Sequence, residues 1–547
     1  MLSFSCFRIQ RGAPRVIAMA LGLMTGCAHQ PTPPFPPPDA PQWKDSVVIN
    51  TPSLLREPFA FSRTVEQIVA SAPGFPTTPE AFLQGMVDSF SRTAFKQPRT
   101  GKTIRVNRRP ERRLSAAALL DPDSPDGMRP VGLFNRFDLA PADGGNCGEY
   151  RIVYAKNSAN ARDRMTMIFE ARIPNPDGSK GLAGCQPIVD FWARRVLDPD
   201  RPSTVEALEK FYYQGIPGVP PVVDALNYGL PLGQIRVNLF KVGKDNAPWT
   251  LREFIVGMDD DGKATLTSAQ VDDSPIAALF RSRFAQHAPF SRKEFRRFRN
   301  DFLGQPLCNL VNPDLTAAHP DADAVINGIA AGFHPDFNDF ESISQTLDDD
   351  PANHTETRLK NRIRNRLNQL GVASTVTPRQ LLNRAGAMTC GGCHEFSSGR
   401  ELASNIRWPN SLGFVHIDEN GAISELLSKT FIPRRIQIIQ AFEKNPSASS
   451  PPRASCLVAQ TRAAAVMPKV LTRTRPASGR RHPIYNEVDD IIDRFFAPKP
   501  REASSGTSRA FLLKTRSASQ ILRDAVKRAR RAEQSTPGAF TPVRRSH

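Results

Sequence analysis

The first residues constrain this chain most. Arg8, Arg11 and Arg15 precede the apolar run Val16-Ile17-Ala18-Met19-Ala20-Leu21-Gly22-Leu23, which leads into Met24-Thr25-Gly26-Cys27. A charged start, a short apolar run and small residues before a cut are what an export signal requires. The run is too short for the roughly 20 apolar residues that cross a bilayer, and no second candidate span follows. The body is therefore expected to fold outside the cytoplasm, where thiols pair or are committed to a cofactor.

The 547 residues have room for two or three compact units, and 33 Phe are enough to build a core. Glycine has no three-residue period and no heptads persist, which excludes collagen and coiled coil. Lys and Arg number 72 against 54 Asp and Glu, a net charge of +18 that calls for an anionic partner.

Met24-Thr25-Gly26-Cys27 resembles the lipobox of bacterial lipoproteins, with Met24 in place of the commoner Leu. The resemblance implies a signal peptide over 1–26 and lipidation of Cys27. Ala28 stands where Asp would imply inner-membrane retention, which points to the outer membrane. Lipid tails would hold the chain at a membrane surface without spanning it. Pro31-Thr32-Pro33-Pro34-Phe35-Pro36-Pro37-Pro38 then reads as an extended spacer, so 27–45 is expected to be the lipidated Cys and its tether.

Beyond the tether the patterning predicts an α+β fold. Thr77-Thr78-Pro79-Glu80 starts a helix. Arg151–Tyr154 and Met165–Arg172 are runs of β-formers, and Gln234–Phe240 alternates polar with apolar as a half-buried strand does. Trp249–Val256 and Ala264–Leu266 flank Asp259-Asp260-Asp261-Gly262, a hairpin turn. Ser203 onward is a helix among these strands. Residues 46–275 are thus expected to form a domain on an antiparallel sheet.

From 290 to 445 the signals are mainly helical. Ser291 and Glu294 form a capping box, and Leu359, Ile363, Leu367 and Leu370 make one apolar stripe under a basic back that ends at Gly371. That stripe is expected to face the core. Thr377-Pro378-Arg379-Gln380 starts the helix that leads to the chemistry.

With Cys6 in the signal and Cys27 lipidated, six cysteines remain. Cys147 and Cys185 border the same expected sheet and are the first candidate pair for a disulfide, with Cys308 and Cys456 as the second, although spacing alone does not set the connectivity. The last two stand in Cys390-Gly391-Gly392-Cys393-His394. This resembles the attachment motif of c-type cytochromes, over about 370–440. The resemblance implies haem c on Cys390 and Cys393, with His394 on the iron. His416 is the first choice for a sixth ligand and Met467 the second. A redox dithiol, half of a zinc site and a small structural disulfide remain as alternatives; the first lacks a βαβ setting and the second lacks further ligands.

Phe134-Asn135-Arg136-Phe137-Asp138-Leu139-Ala140-Pro141 and Cys147–Val153 are similar to large exported bacterial proteins of uncharacterised function that end in CxxCH, which transfers no activity. No nucleophile elbow, phosphate loop or zinc-protease helix is present. Asp138 beside Arg136 and Glu149 beside Arg151 read as ion pairs rather than an acid/base couple. The Asp triplets at 259 and 348 lack calcium-loop spacing and read as turns.

The function expected is an envelope lipoprotein that carries or relays electrons on haem c, with the sheet domain docking a redox partner or binding a ligand. A disulfide-stabilised binding lipoprotein without haem is the alternative. Beyond Cys456 there are 19 Lys and Arg against 7 Asp and Glu, so +12 of the charge lies in one segment. Residues 446–547 are expected to be a mobile basic tail that meets anionic lipid or envelope polymer rather than nucleic acid.

Overall fold

β-formers between turn residues build one antiparallel sheet of eight strands: β1 (Val48–Ile49), β2 (Met128–Arg136), β3 (Asn146–Lys156), β4 (Arg164–Pro174), β5 (Gln234–Phe240), β6 (Thr250–Met258), β7 (Ala264–Ala269) and β8 (Ser342–Ile343). The computed structural model describes residues 44–106, 114–158, 163–194, 202–229, 232–240, 248–280, 290–344 and 350–446. The signal, Cys27, the tether, Cys456, Met467 and the basic segment from 447 onward lie outside the described residues. The chain divides into Met1–Pro41 and Gln42–His547, and every described residue belongs to the second unit.

Strands β1 to β6 pair in chain order. Beyond β6 the edge is shared: Ser342 and Ile343 pair with Leu251 and Thr250, while β7 pairs with Glu253 to Met258. The expected hairpin joins β6 to β7, its turn closed by Asp259 and Gly262, the latter at φ 78°.

The two faces differ in chemistry. One carries Tyr150, Ile152, Tyr154, Met167, Phe169 and Val237, all fully buried. Against it pack α1 (Phe61–Ser71), α2 (Pro79–Ser89), α3 (Gln186–Arg194) and α4 (Pro202–Tyr213). Phe61 meets Tyr154 and Phe169 edge-on, and Tyr150 meets Trp192 and Phe211. Each such ring contributes about 1.5–3 kcal/mol by leaving water. Thr64 Oγ1 sits 2.6 Å from both the Tyr154 and Tyr213 hydroxyls, which satisfies these polar tips inside the apolar layer.

The opposite face is charged and equally dry. Arg136, Glu149, Glu170, Gln234, Arg236 and Glu253 are all buried. The expectation of a half-buried β5 is therefore corrected: its alternation is real, but all seven residues are buried. The polar positions Gln234 and Arg236 are satisfied across the sheet instead of by water, while Asn238 Oδ1 has no hydrogen-bond partner among the described residues. Arg236 bridges Glu170 and Glu253, Gln234 donates to Glu170, and Arg151 bridges Glu149 and Glu170. Asp138 and Glu149 are held as ion pairs, by Arg136 and by Arg151 and Arg172.

The covering layer contains α5 (Arg292–Phe302), α6 (Thr357–Gln369), α7 (Pro378–Ala387) and α8 (Ile432–Lys444). Helices α2, α5 and α7 begin at the caps read from sequence, with Thr78, Ser291 and Thr377 accepting the expected backbone N–H bonds. In α6 Leu359, Ile363 and Leu367 face the core, and the helix stops before Gly371 at φ 73°. The segments 46–275 and 290–445 share one hydrophobic core, which runs from Val47 to Phe442. Fold class is α+β with an antiparallel sheet. Among the described residues no helix is long and apolar enough to cross a membrane.

The Cys147–Cys185 disulfide is formed, Cα to Cα 5.5 Å, and ties the start of β3 to the segment before α3. Cys308 is also disulfide-bonded; Cys456, its expected partner, lies outside the described residues.

Candidate functional site

Helix α7 aims the cysteine motif at the charged sheet face. Its N-terminus is fixed by the Thr377–Gln380 capping box, and its middle by Arg384, which is fully buried with Asp314 and also donates to the Leu310 and Leu402 carbonyls. After Met388 the chain turns back into a helical turn at Cys390, and Gly392–Phe396 continues it as a π-turn. Gly391 donates to Ser342 Oγ on β8 at 2.8 Å. Both glycines are required by close approach: a Cβ on Gly391 would lie 2.5 Å from the Ile343 carbonyl oxygen, and one on Gly392 1.9 Å from that of Gly386.

Cys390 and Cys393 are thiols, each 1% exposed. Cys390 packs with Phe240, Trp249, Leu251 and Val271, and Phe414 closes over this cluster. His394 stacks on Trp249, ring centres 5.1 Å apart, and its other neighbour is His416 at 4.7 Å.

A short hairpin brings His416 here. Asp418 and Gly421 close its turn, Ile417 bridges Ile423, and Ser424 N donates to the His416 carbonyl. Cys393 Sγ lies 3.2 Å from His416 Nε2, and His416 Nδ1 lies 3.0 Å from Ser424 Oγ. His394 Nδ1 is 3.0 Å from the Phe414 carbonyl oxygen. A carbonyl only accepts, so Nδ1 carries the proton and Nε2 keeps its lone pair.

The loop before His416 is tied at several points. Ser411 and Phe414 N donate to Glu395, and Arg164 donates to the Leu412 and Gly413 carbonyls. Gly413 and Phe414 both have positive φ, 59° and 73°. A non-glycine residue there costs about 1–3 kcal/mol and persists because Phe240 stacks on the ring at 4.5 Å while His394 and Glu395 hold its backbone.

Electrostatics set the protonation of the motif. Burial pushes His394 down to about 4, with Arg236 adding to the effect and the Phe414 carbonyl and Glu170 opposing it, so the imidazole is neutral at pH 7. Burial first, then Cys390, pushes the Cys393 thiol well above its ordinary value, against the pull of Arg136, Arg236 and Arg435. Cys393–His416–Ser424 thus forms a thiol–imidazole–hydroxyl chain in which the sulfur keeps its proton. A nucleophile or redox dithiol needs a reachable thiolate, and this sulfur is neither.

Cys390, Cys393 and His394 are the residues that would hold a covalent haem. Two thiols lie beside a neutral imidazole whose Nδ1–H is committed to a backbone carbonyl, the arrangement that orients a ligating histidine. A second imidazole is adjacent, but its ring centre is 4.7 Å from that of His394, closer than two axial ligands on opposite faces of one porphyrin lie, so a haem here would require His416 to move. Among the described residues no group of three or more His, Cys, Asp and Glu is arranged to hold a bare metal ion. A porphyrin brings its own four nitrogens and asks the protein for only one or two.

His416 was legible as a candidate from its separation from the motif, while Ser424, Trp249, Phe240 and Phe414 carried no local signal because they arrive through tertiary packing. Cys27, Cys456 and Met467 lie outside the described residues. Comparison with known protein families, with curated proteins and with solved structures finds no match to this chain.

Proposed function

We propose that the chain is an envelope lipoprotein that binds haem c through Cys390 and Cys393, with His394 as proximal ligand and His416 as the second, and that it carries electrons. One observation supports this most: His394 Nδ1–H is committed to the Phe414 carbonyl, which leaves Nε2 as its ligating nitrogen beside the two thiols. When bound, the haem supplies a one-electron couple. Each thiol would add its sulfur and its hydrogen across a vinyl group, so no oxidant is consumed. Trp249 and the Phe414 loop orient His394 and exclude water, while Ser424 orients His416. Lipid on Cys27 would anchor the chain at the outer membrane, and the basic segment 446–547 would meet anionic lipid or polymer. The 46–275 segment would dock a redox partner.

The second reading, a haem-free lipoprotein stiffened by disulfides, is favoured by the close packing of the motif: both sulfurs are buried and a ring lies on each side of His394. Expression of the full chain with a c-type haem maturation system separates the two. The haem reading expects a haem-stained band on a denaturing gel, lost in Cys393→Ala. A chain that matures, folds and retains no covalent haem decides for the second reading. Release from membranes in Cys27→Ala checks the anchor, and unchanged retention argues against lipidation.

A further inference from the structure

Arg136 and Arg435 are 2% and 4% exposed, and they share one carboxylate. Asp138 takes Arg136 in a bidentate pair at 2.9 and 3.0 Å, which leaves Arg435 Nε 3.7 Å from Oδ1, beyond hydrogen-bond distance. Arg136 Nη1 and Arg435 Nε have no hydrogen-bond partner among the described residues. A third guanidinium, Arg434, joins them and donates sideways, to Gln437. All four charged groups line one small cavity, of about 20 Å³, whose other walls are Ile326, Asn327, Ile329 and Phe431. Within the cavity lining three cations face one anion, while Glu149 and Glu170 act on Arg136 from the sheet behind it.

A buried charge without compensation is expensive, and this surplus is felt at Arg435. Burial, and then the charge of Arg136, depresses it well below the ordinary guanidinium value, with Asp138 too committed to restore it. At Arg136, by contrast, burial is outweighed by Asp138, Glu149 and Glu170 together, which hold it above its ordinary value, so the uncompensated charge is that of Arg435. The volume exceeds the roughly 10–15 Å³ that one water-sized group needs, so it admits the oxygen-bearing end of a molecule and not a whole metabolite. Planar guanidinium forks match oxyanions in particular.

We propose that this crevice, between the end of β2 and helix α8, binds the charged end of a small oxyanion, a carboxylate or a phosphate, on Arg136, Arg434 and Arg435. Asp138 sets the orientation of Arg136 and keeps the site from attracting a second anion. The apolar walls favour an anion carried on a short organic body over a fully hydrated ion. The site does not depend on haem, so it stands or falls separately from the electron-carrier reading.

The test uses the full chain, as purified with or without haem, in thermal melts with sodium acetate or sodium phosphate against sodium chloride at matched ionic strength. The expected result is a saturable rise in melting temperature of at least about 2 °C over chloride for one of the two oxyanions. A rise with acetate assigns a carboxylate, and a rise with phosphate assigns a phosphoryl group. Arg434→Gln, at a half-buried position that leaves the fold intact, should weaken the response at least tenfold in concentration, and Arg435→Gln should abolish it. No rise over chloride overturns the proposal, and so does an equal rise in wild type and Arg434→Gln.

Discussion

Cys393 Sγ and His416 Nε2 lie 3.2 Å apart across 23 residues of sequence, with Ser424 Oγ holding the far side of the imidazole at 3.0 Å. The contact makes His416 the residue whose removal is most informative. In the haem-loaded chain, His416→Ala should keep the covalent haem band on a denaturing gel while the visible spectrum changes from six-coordinate to five-coordinate form. An unchanged spectrum would remove His416 from the ligand set.

The two glycines of the motif are predicted to be unequal to an ordinary surface glycine. Gly391→Ala places a Cβ 2.5 Å from the Ile343 carbonyl oxygen, whereas Gly178→Ala meets nothing within 4 Å. The first should cost about 1–3 kcal/mol or more through overpacking and the second close to nothing, read from urea midpoints. Equal midpoints would show that β8 yields to the motif.

Loss of the Cys147–Cys185 bond should be costly in a way that can be put in numbers. The bond closes a loop over a sequence separation of 38, for which the chain-entropy estimate is about 3–4 kcal/mol. Cys147→Ser with Cys185→Ser should lower the unfolding free energy by that amount, and a loss below about 1 kcal/mol would mean that the unfolded chain is not much constrained by it.

Asp273 should make the protein less stable towards alkaline pH. Burial, reinforced by Asp272, raises its carboxyl from 3.8 to about 7, against the amides of Phe333 and Gly332. The folded chain therefore holds a proton that the unfolded chain releases near pH 4, so the stabilisation is complete below pH of about 4 and is lost as pH rises through about 7. Asp273→Asn keeps the Oδ1 that accepts from Phe333 and suits the φ of 52°. It should match wild type near pH 4 and exceed it at pH 8, and parallel pH profiles would place the dependence elsewhere.

Local chemistry alone determined where most elements begin and what they are. Thr78, Ser291 and Thr377 cap because a side-chain oxygen three residues from a free N–H satisfies it without help from the rest of the chain. The apolar stripe of α6 and the turn at Asp259–Gly262 are legible for the same reason. The cysteine motif is also local, as was the choice of His416. Only the tertiary structure decided that both faces of the sheet are dry. Alternation in Gln234–Phe240 says that two faces differ, but not whether water or a second layer covers the polar one. Arg236, Glu170 and Glu253 could be buried because neighbouring strands set opposite charges side by side, a register that no single strand contains. The same holds for Ser424 beside His416, Trp249 on His394, and Arg435 beside Arg136: each contact joins residues whose local patterns are ordinary, and burial turns them into chemistry.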